Sequence, residues 1–426
     1  MLPEGRKHCQ GLPPDVLINL PDNVIDVILM CLPCKDGVRT SVLSKKWRYH
    51  WCRLAKFELD ESLWRTQKDR LYPTVRLAKI VYQLLTHHEG PITKFKLRIA
   101  HADLKECPEI DNFIYFLSRK GIQHLVLHLP EDGIYKLPSS LFICSQLRHL
   151  NLHDCLIHPP PAFKGFDRLV SLELCRVTIS SELLGSLISH CPLLEQFVLK
   201  ISESLNIIEI NAPMLRSFDF TGSISSICLK NVPLMAKASL MHEGSSREAE
   251  NFDYAKFFES CSSLEHLLLN FKYGKFFADE TPTRLPFDLN RLKHLRLSNI
   301  VVKESYKLSC ALCLIRSSPY LEYLEIEIYG YYDGAPESLE LERFSDITFN
   351  HLREVTLIKF GRTTLEMQLI KLLLAKSPML VKMLIYPVFN LETTSEILDE
   401  LSKFGHASPK AVIVYYDKKE VIVNFS

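Results

Sequence analysis

Two Cys-x-x-C pairs, Cys31 with Cys34 and Cys310 with Cys313, are the residues of this chain with the most obvious capacity for chemistry. Such a pair offers two thiolates at a spacing that can grip zinc or run thiol–disulfide exchange. A structural zinc site needs a second pair or two histidines nearby. These pairs stand far apart in the sequence, and neither adjoins a strand–helix–strand pattern of the redox kind. Both therefore read as small buried residues. The densest histidines are His87-His88 and the His149/His153 pair. The latter two alternate outward with Asn151 and could meet a partner or a metal, although solvated surface histidines are the simpler reading. No phosphate loop, dinucleotide fingerprint, zinc-protease motif or nucleophile elbow occurs, and Gly274-Lys275 lacks the glycine that would begin a phosphate loop. Glu325 and Glu327 look like the solvent side of a strand, not an acid–base couple. The residues predict no catalysis, no cofactor and no metal.

The elements that carry these residues are more informative. Residues 20–47 read LPDNVIDVILMCLPCKDGVRTSVLSKKW. Val24, Ile25, Ile28, Leu29 and Leu32 form one helical stripe, and Val27 with Met30 widens it onto a second face. A helix apolar nearly all round must be covered, and a short helical segment cannot do that alone. Pro21 suits the first turn and Pro33 the end. Asp36 is expected to cap a second helix whose Val38, Val42 and Leu43 face inward. Trp47 and Trp51 fall at i, i+4 on a third.

From about residue 92 one phrase recurs: FKL (95–97), LVL (125–127), LNL (150–152), LEL (172–174), FVL (197–199), FDF (218–220) and ASL (238–240), then LLL (267–269), LRL (295–297), LEI (324–326), VTL (355–357) and MLI (383–385). Steps of about 20 to 31 residues sit at and slightly above the leucine-rich-repeat range. The alternation marks strands with one buried side. Amphipathic stretches at 183–188, 254–258, 308–315 and 367–374 run into Ser-Pro or Ser/His-Cys stops, so the longer units read as strand plus helix. The shortest units leave no room for a helix, and LNIIEI (205–210) and SICLK (226–230) are expected there as extra strands. The fold class is thus α/β: three N-terminal helices, then a solenoid with a parallel sheet on one side and helices or irregular segments on the other.

Residues 12–57 resemble the F-box of plant F-box/FBD/LRR-repeat proteins, through Leu20-Pro21-Asp22, the Ile25/Ile28/Leu29/Leu32 stripe, the run 35–41 (KDGVRTS) and the run 42–48 (VLSKKWR). Asp26 departs from the pattern, which usually has an apolar residue there and would weaken one face. The last stretch, from FNHLREVTLIKF to SPKAVIVYYD, resembles the FBD region of the same family. The resemblance implies a tail (1–11), F-box (12–57), helical bridge (58–91), repeat solenoid (92–349) and FBD-like end (350–426). It implies a non-catalytic subunit that docks on a Skp-type adaptor, and through it on a cullin and a RING protein, while the solenoid holds a protein substrate. Leu20, Pro21, Ile25, Ile28, Leu29, Leu32, Val38, Leu43 and Trp47 would bind the adaptor or support that surface. Outward residues of the repeats, Lys96, Arg98, Asn151, His153, Glu173, Arg296, Glu325 and Glu327, with Tyr329 and Tyr331 in the following loop, are the substrate-face candidates.

Bulk properties agree with that class. A net charge of +1 over 426 residues creates no field for nucleic acid or an anionic membrane. The first residues show no apolar signal core, and no apolar run is long enough to span a bilayer. Thirteen scattered cysteines suit a reducing compartment, cytoplasm or nucleus. Two other readings stay open: a repeat scaffold unconnected with ubiquitin, and a DNA-binding regulator using Lys35, Arg39, Lys45, Lys46, Arg48, Arg53 and Lys56. Against the latter, Trp47 and Trp51 take the inner face of the basic helix, where a groove reader needs a free polar one.

Overall fold

The computed structural model describes residues 16–61, 73–99, 109–131, 135–202, 205–242, 254–271, 282–301, 305–329, 346–388, 394–416 and 421–424. The chain falls into two compact units, Met1–Cys155 and Leu156–Ser426.

The first unit opens on helices. α1 spans Asp22–Met30 and α2 spans Cys34–Arg39, and 3-10 turns follow at Thr40–Val42 and Trp47–Arg53. The expected third helix is therefore a 3-10 element, a form that seldom runs far because its hydrogen-bond geometry is poorer. Both prolines stand at N-caps, Pro21 before α1 and Pro33 before α2. Pro33 rather than Asp36 starts α2, and Asp36 instead pairs with Arg39 across one turn at 3.3 Å. The tight second turn also carries Val42 and Leu43 away from the interior: Val42 is 85% exposed and Leu43 48%. Both were expected inside.

A parallel sheet follows within this unit, in the order Lys56–Leu59, Lys94–Arg98, His124–His128 and His149–His153. The register is strict, with Phe57 opposite Phe95, Phe95 opposite Leu125 and Leu125 opposite Leu150. α3 spans Pro73–His87, and α4 (Glu109–Ser118) covers the core side, where Phe95 meets Phe113 edge-on at 4.3 Å. The ladder thus begins near residue 56, not 92. Its first rung carries Leu54-x-x-Phe57-x-Leu59, the repeat phrase with Phe for Leu.

The second unit continues the pattern from Ser171–Cys175 to Val412–Tyr416 in parallel pairs, and Val421–Asn424 closes it antiparallel. Every repeated phrase from LEL to MLI lies in one of these strands, its first and third residues buried on the core side. Expected helices occur as α5 (Ser181–Ser189), α6 (Tyr254–Glu259), α7 (Ser305–Arg316) and α8 (Thr364–Lys376). Between α5 and α6 the chain uses Leu205–Asn211 and Ile224–Lys230, a separate parallel pair that packs on those helices as the short units required.

The stops have a mechanism. The Cys191 and Cys261 thiols donate to the Leu187 and Phe257 carbonyls at 3.1 Å, occupying acceptors that a helix end leaves open. Ser317 donates to Cys313 at 2.8 Å and accepts from the Leu285 amide at 2.8 Å. At strand ends Arg176, Asn299 and Lys359 hold left-handed φ of 49°, 59° and 61°, and the ladder shifts register around Asn299 and Lys359. Among the described residues no helix is long and apolar enough to cross a membrane.

Candidate docking and recognition surfaces

In the N-terminal unit, α1 divides its apolar residues between two faces. Ile25 and Leu29 are fully enclosed, and Trp47 lies against the same interior, its indole N–H donating to the Leu17 carbonyl at 2.9 Å. Leu20, Ile28 and Val38 are half-buried and Pro21 is exposed. Among the described residues the bare ones include Val27 and Met30 on α1, Leu32 just past its end, Val42 with Leu43, and also Leu17 and Tyr49. Of the nine residues expected at the adaptor surface, then, Ile25, Leu29 and Trp47 are buried, and Pro21, Leu32 and Leu43 are exposed. Val27, Met30 and Val42 were noted in the sequence as apolar but not placed there. The mechanical reason is that a two-turn helix can bury only the side facing its neighbours.

Asp26, the departure from the family pattern, has a polar partner in this unit. It lies 3.0 Å from Nδ1 of His50, a buried histidine, and Asp22 stands 3.8 Å from the other ring nitrogen. Lys46 reaches both Asp22, at 3.3 Å, and the Leu20 carbonyl. A polar clamp thus joins α1 to the Trp47–Arg53 turn, where an apolar residue would have served by packing. Among the clustered cations, Arg39 pairs with Asp36 and Lys46 with Asp22.

The cysteine pairs are placed unequally. Cys31 is exposed, whereas Cys34, Cys310 and Cys313 are buried. Burial pushes the Cys34 thiol up to about 11 and the Cys313 thiol up to about 12. A thiol held protonated at neutral pH is a poor nucleophile and a poor ligand.

On the repeats, Lys96, Asn151, His153, Glu173, Glu325 and Glu327 are half-buried, and Arg98, Arg296 and Tyr329 are exposed. Tyr331 lies outside the described residues. Arg296 and Glu325 are register neighbours and pair at 3.2 Å; Lys359 reaches Glu327 at 2.7 Å and lies 5.8 Å from the Tyr329 ring centre. The run at 323–329 is therefore not a free acidic surface, because its carboxylates are neutralised from the adjacent strands.

The residues just before three successive Leu-x-Leu phrases, His266, His294 and Tyr323, stack from strand to strand. His266 and His294 lie 4.3 Å apart at 16°, and His294 and Tyr323 lie 4.4 Å apart at 3°. They border a hollow of about 470 Å³ that Ser217, Lys237, Ser239 and Arg296 also line. Partial burial lowers the pKa of both histidines, so neutral imidazole is favoured there. Aligning the repeats by their first leucine would have exposed this row: His-Leu-Leu-Leu, His-Leu-Arg-Leu, Tyr-Leu-Glu-Ile.

Comparison with known proteins bears on the whole chain. The F-box domain model matches residues 12–59. The model for the LRR repeats of FBD-associated F-box protein At5g56370 matches 110–253, and that for the LRR domain of At1g61320/AtMIF1 matches 198–398. The F-box/FBD/LRR-repeat protein At1g13570 of Arabidopsis thaliana is 33% identical over 95% of this chain and 99% of that protein. The chain belongs to the F-box/FBD/LRR-repeat family. Further relatives in the same plant include F-box/LRR-repeat protein At3g03360, 23% identical over 74% of this chain and 71% of its own length. A putative F-box/FBD/LRR-repeat protein, At1g66290, is 26% identical over 77% and 72%. The N-terminal helices are thus an F-box and the strand ladder a leucine-rich-repeat solenoid, as the sequence motifs led one to expect.

Proposed function

We propose that this F-box/LRR chain is the substrate-recognition subunit of an SCF-type (Skp–cullin–F-box) E3 ubiquitin ligase. Residues 12–57 dock on a Skp-type adaptor, 58–91 bridge, and the repeats with the FBD-like end at 350–426 hold a protein substrate. The subunit performs no catalysis. It acts by raising the effective concentration of substrate near the conjugating enzyme that the cullin and RING protein recruit. The protein works in the cytoplasm or nucleus, where its free thiols stay reduced.

The observation that carries this reading is the uncovered apolar surface of the F-box, with Val27 55%, Met30 51% and Val42 85% exposed. An aliphatic surface of this kind on a rigid helical unit fits a protein interface better than solvent. The test is co-purification of the full chain with a Skp-type adaptor. Met30→Asp with Val42→Asp puts two charges into a contact that excludes water, and adaptor capture should be lost. Melting temperature should stay level, because both residues are exposed in the free chain. Ile28, being half-buried, would mix folding with binding. Full adaptor capture by the folded double variant would overturn the docking assignment.

A further inference from the structure

Charge on the strand face of Met1–Cys155 is one-sided. Phe95 and Leu97 point into the core, so Lys94, Lys96 and Arg98 alternate outward from the same strand. Lys56 stands in register with Lys94 on one side. On the other side His124 and His149 continue the Lys94 row, while His128 and His153 continue the Arg98 row. Within the four strands Glu58 is the only carboxylate, and Lys94 holds it at 3.0 Å. Asp60, Glu131 and Asp154 lie beyond the strand ends. Lys96 and Arg98 have no ion-pair partner among the described residues. The Lys94 ammonium keeps the Glu58 carboxyl below the usual carboxylate range, and the positive field of Lys96 and Arg98 adds to the effect. The contrast with the far repeats is sharp, since Arg296–Glu325 and Lys359–Glu327 close their charges locally.

We infer that this face binds an acidic segment of the protein substrate, laid across the strands over Lys96 and Arg98. Four strands at ~4.8 Å spacing span roughly 14 Å, the reach of about four or five extended residues. A segment of that length with two or three carboxylates matches Lys56, Lys96 and Arg98. The stacked rings, His124 on His149 at 4.3 Å and His128 on His153 at 3.9 Å, give it flat flanks against which to lie. Nucleic acid is the poorer fit. Duplex binders neutralise on the order of six or more phosphates, which Lys56, Lys96 and Arg98, the cations of this face without an ion pair among the described residues, do not supply.

This inference names the substrate's chemistry and rests on the receptor reading only in calling the occupant a substrate. Its test uses the full chain, a labelled short peptide with three clustered glutamates, and a labelled oligothymidylate of equal charge. The wild type should bind the peptide more tightly than the oligonucleotide, and more weakly as salt rises. Lys96→Glu with Arg98→Glu should weaken peptide binding about tenfold or more while adaptor capture is unchanged. Should the reversal variant melt early, Lys96→Gln with Arg98→Gln removes the charge without adding repulsion. Equal peptide affinity in wild type and folded variant would overturn the inference, as would tighter binding of the oligonucleotide. Intact, charge-dependent peptide binding in a chain that captures no adaptor would support it and defeat the ligase reading instead.

Discussion

α1 of the F-box and α8 of the late repeats have much the same aliphatic density and meet different fates. In α8, Leu365, Met367, Leu369, Ile370, Leu373 and Leu374 are all buried. In α1, Ile25 and Leu29 are enclosed while Val27 and Met30 stay half in water. A repeat helix has a neighbouring unit on either side and a sheet beneath it, so most of the aliphatic surface it presents is covered. The F-box helix lacks that company on one side. Each helix also has a polar fastening that suits its setting. α8 has a capping box, in which the Thr363 side chain accepts from the Glu366 amide at 3.3 Å and the buried Glu366 carboxylate accepts from the Thr363 amide at 2.6 Å. α1 has the Asp26–His50 clamp. Aliphatic density therefore says that a surface needs covering, and position in the array says whether the chain covers it itself.

The largest test of that contrast is Leu373→Asp, which places an unpaired charge at a fully buried site in α8. It should cost about 4 kcal/mol or more and leave the chain poorly folded. The exposed Met30 should accept the same substitution within about 0.5 kcal/mol. Thermal and denaturant melting of the two variants makes the comparison, and equal losses would show that α1 is not bare.

Of intermediate size are the two fastenings. Thr363→Ala should remove about 1 kcal/mol through the lost cap. Asp26→Ala should remove about 1 to 3 kcal/mol, because buried His50 then lacks its closest partner. If Asp26→Ala proved neutral in melting, the clamp would contribute nothing and the family's apolar residue would be its equal.

The smallest effect is a pH dependence. His88 is 6% exposed, and burial lowers its pKa below 6.5, as it also does for His124, His149, His266 and His294. The unfolded chain then binds more protons than the folded one below about pH 6.5, so stability falls as pH drops through that value. Glu366, whose pKa is raised by burial, acts with the opposite sign in the carboxylate range. Melting temperature should fall between pH 7.5 and 5.5, and His88→Gln should flatten the slope. An unchanged slope would assign the effect to the other histidines.

Repeated phrases made most of the ladder readable. Phe95, Leu125, Leu150 and their successors recur at a spacing only a stacked strand explains, and each is buried in register. The F-box was readable as a unit, but its outer face was not. Ile25 and Val27 are equally aliphatic, and only the direction in which α1 lies against Trp47 separates core from surface. The rung at Lys56–Leu59 was not legible as part of the ladder because it abuts the F-box and lies further from the FKL phrase than any other step of the repeat. The partners of the acidic run at 325–327 were not legible, because Arg296 and Lys359, which neutralise it, come from other repeats and become neighbours only through strand register.

By itself the sequence determined the repeat period, the strand phrases, the helix stops and the F-box, since each follows from local spacing, backbone preference and hydrophobic periodicity. Only the tertiary structure decided which aliphatic residues of α1 remain bare and that Asp26 meets His50. It also decided which charges on the strand faces stay unpaired and which aromatic rings stack. These properties depend on residues distant in sequence that the parallel register brings within a few ångströms, and no local pattern encodes that distance.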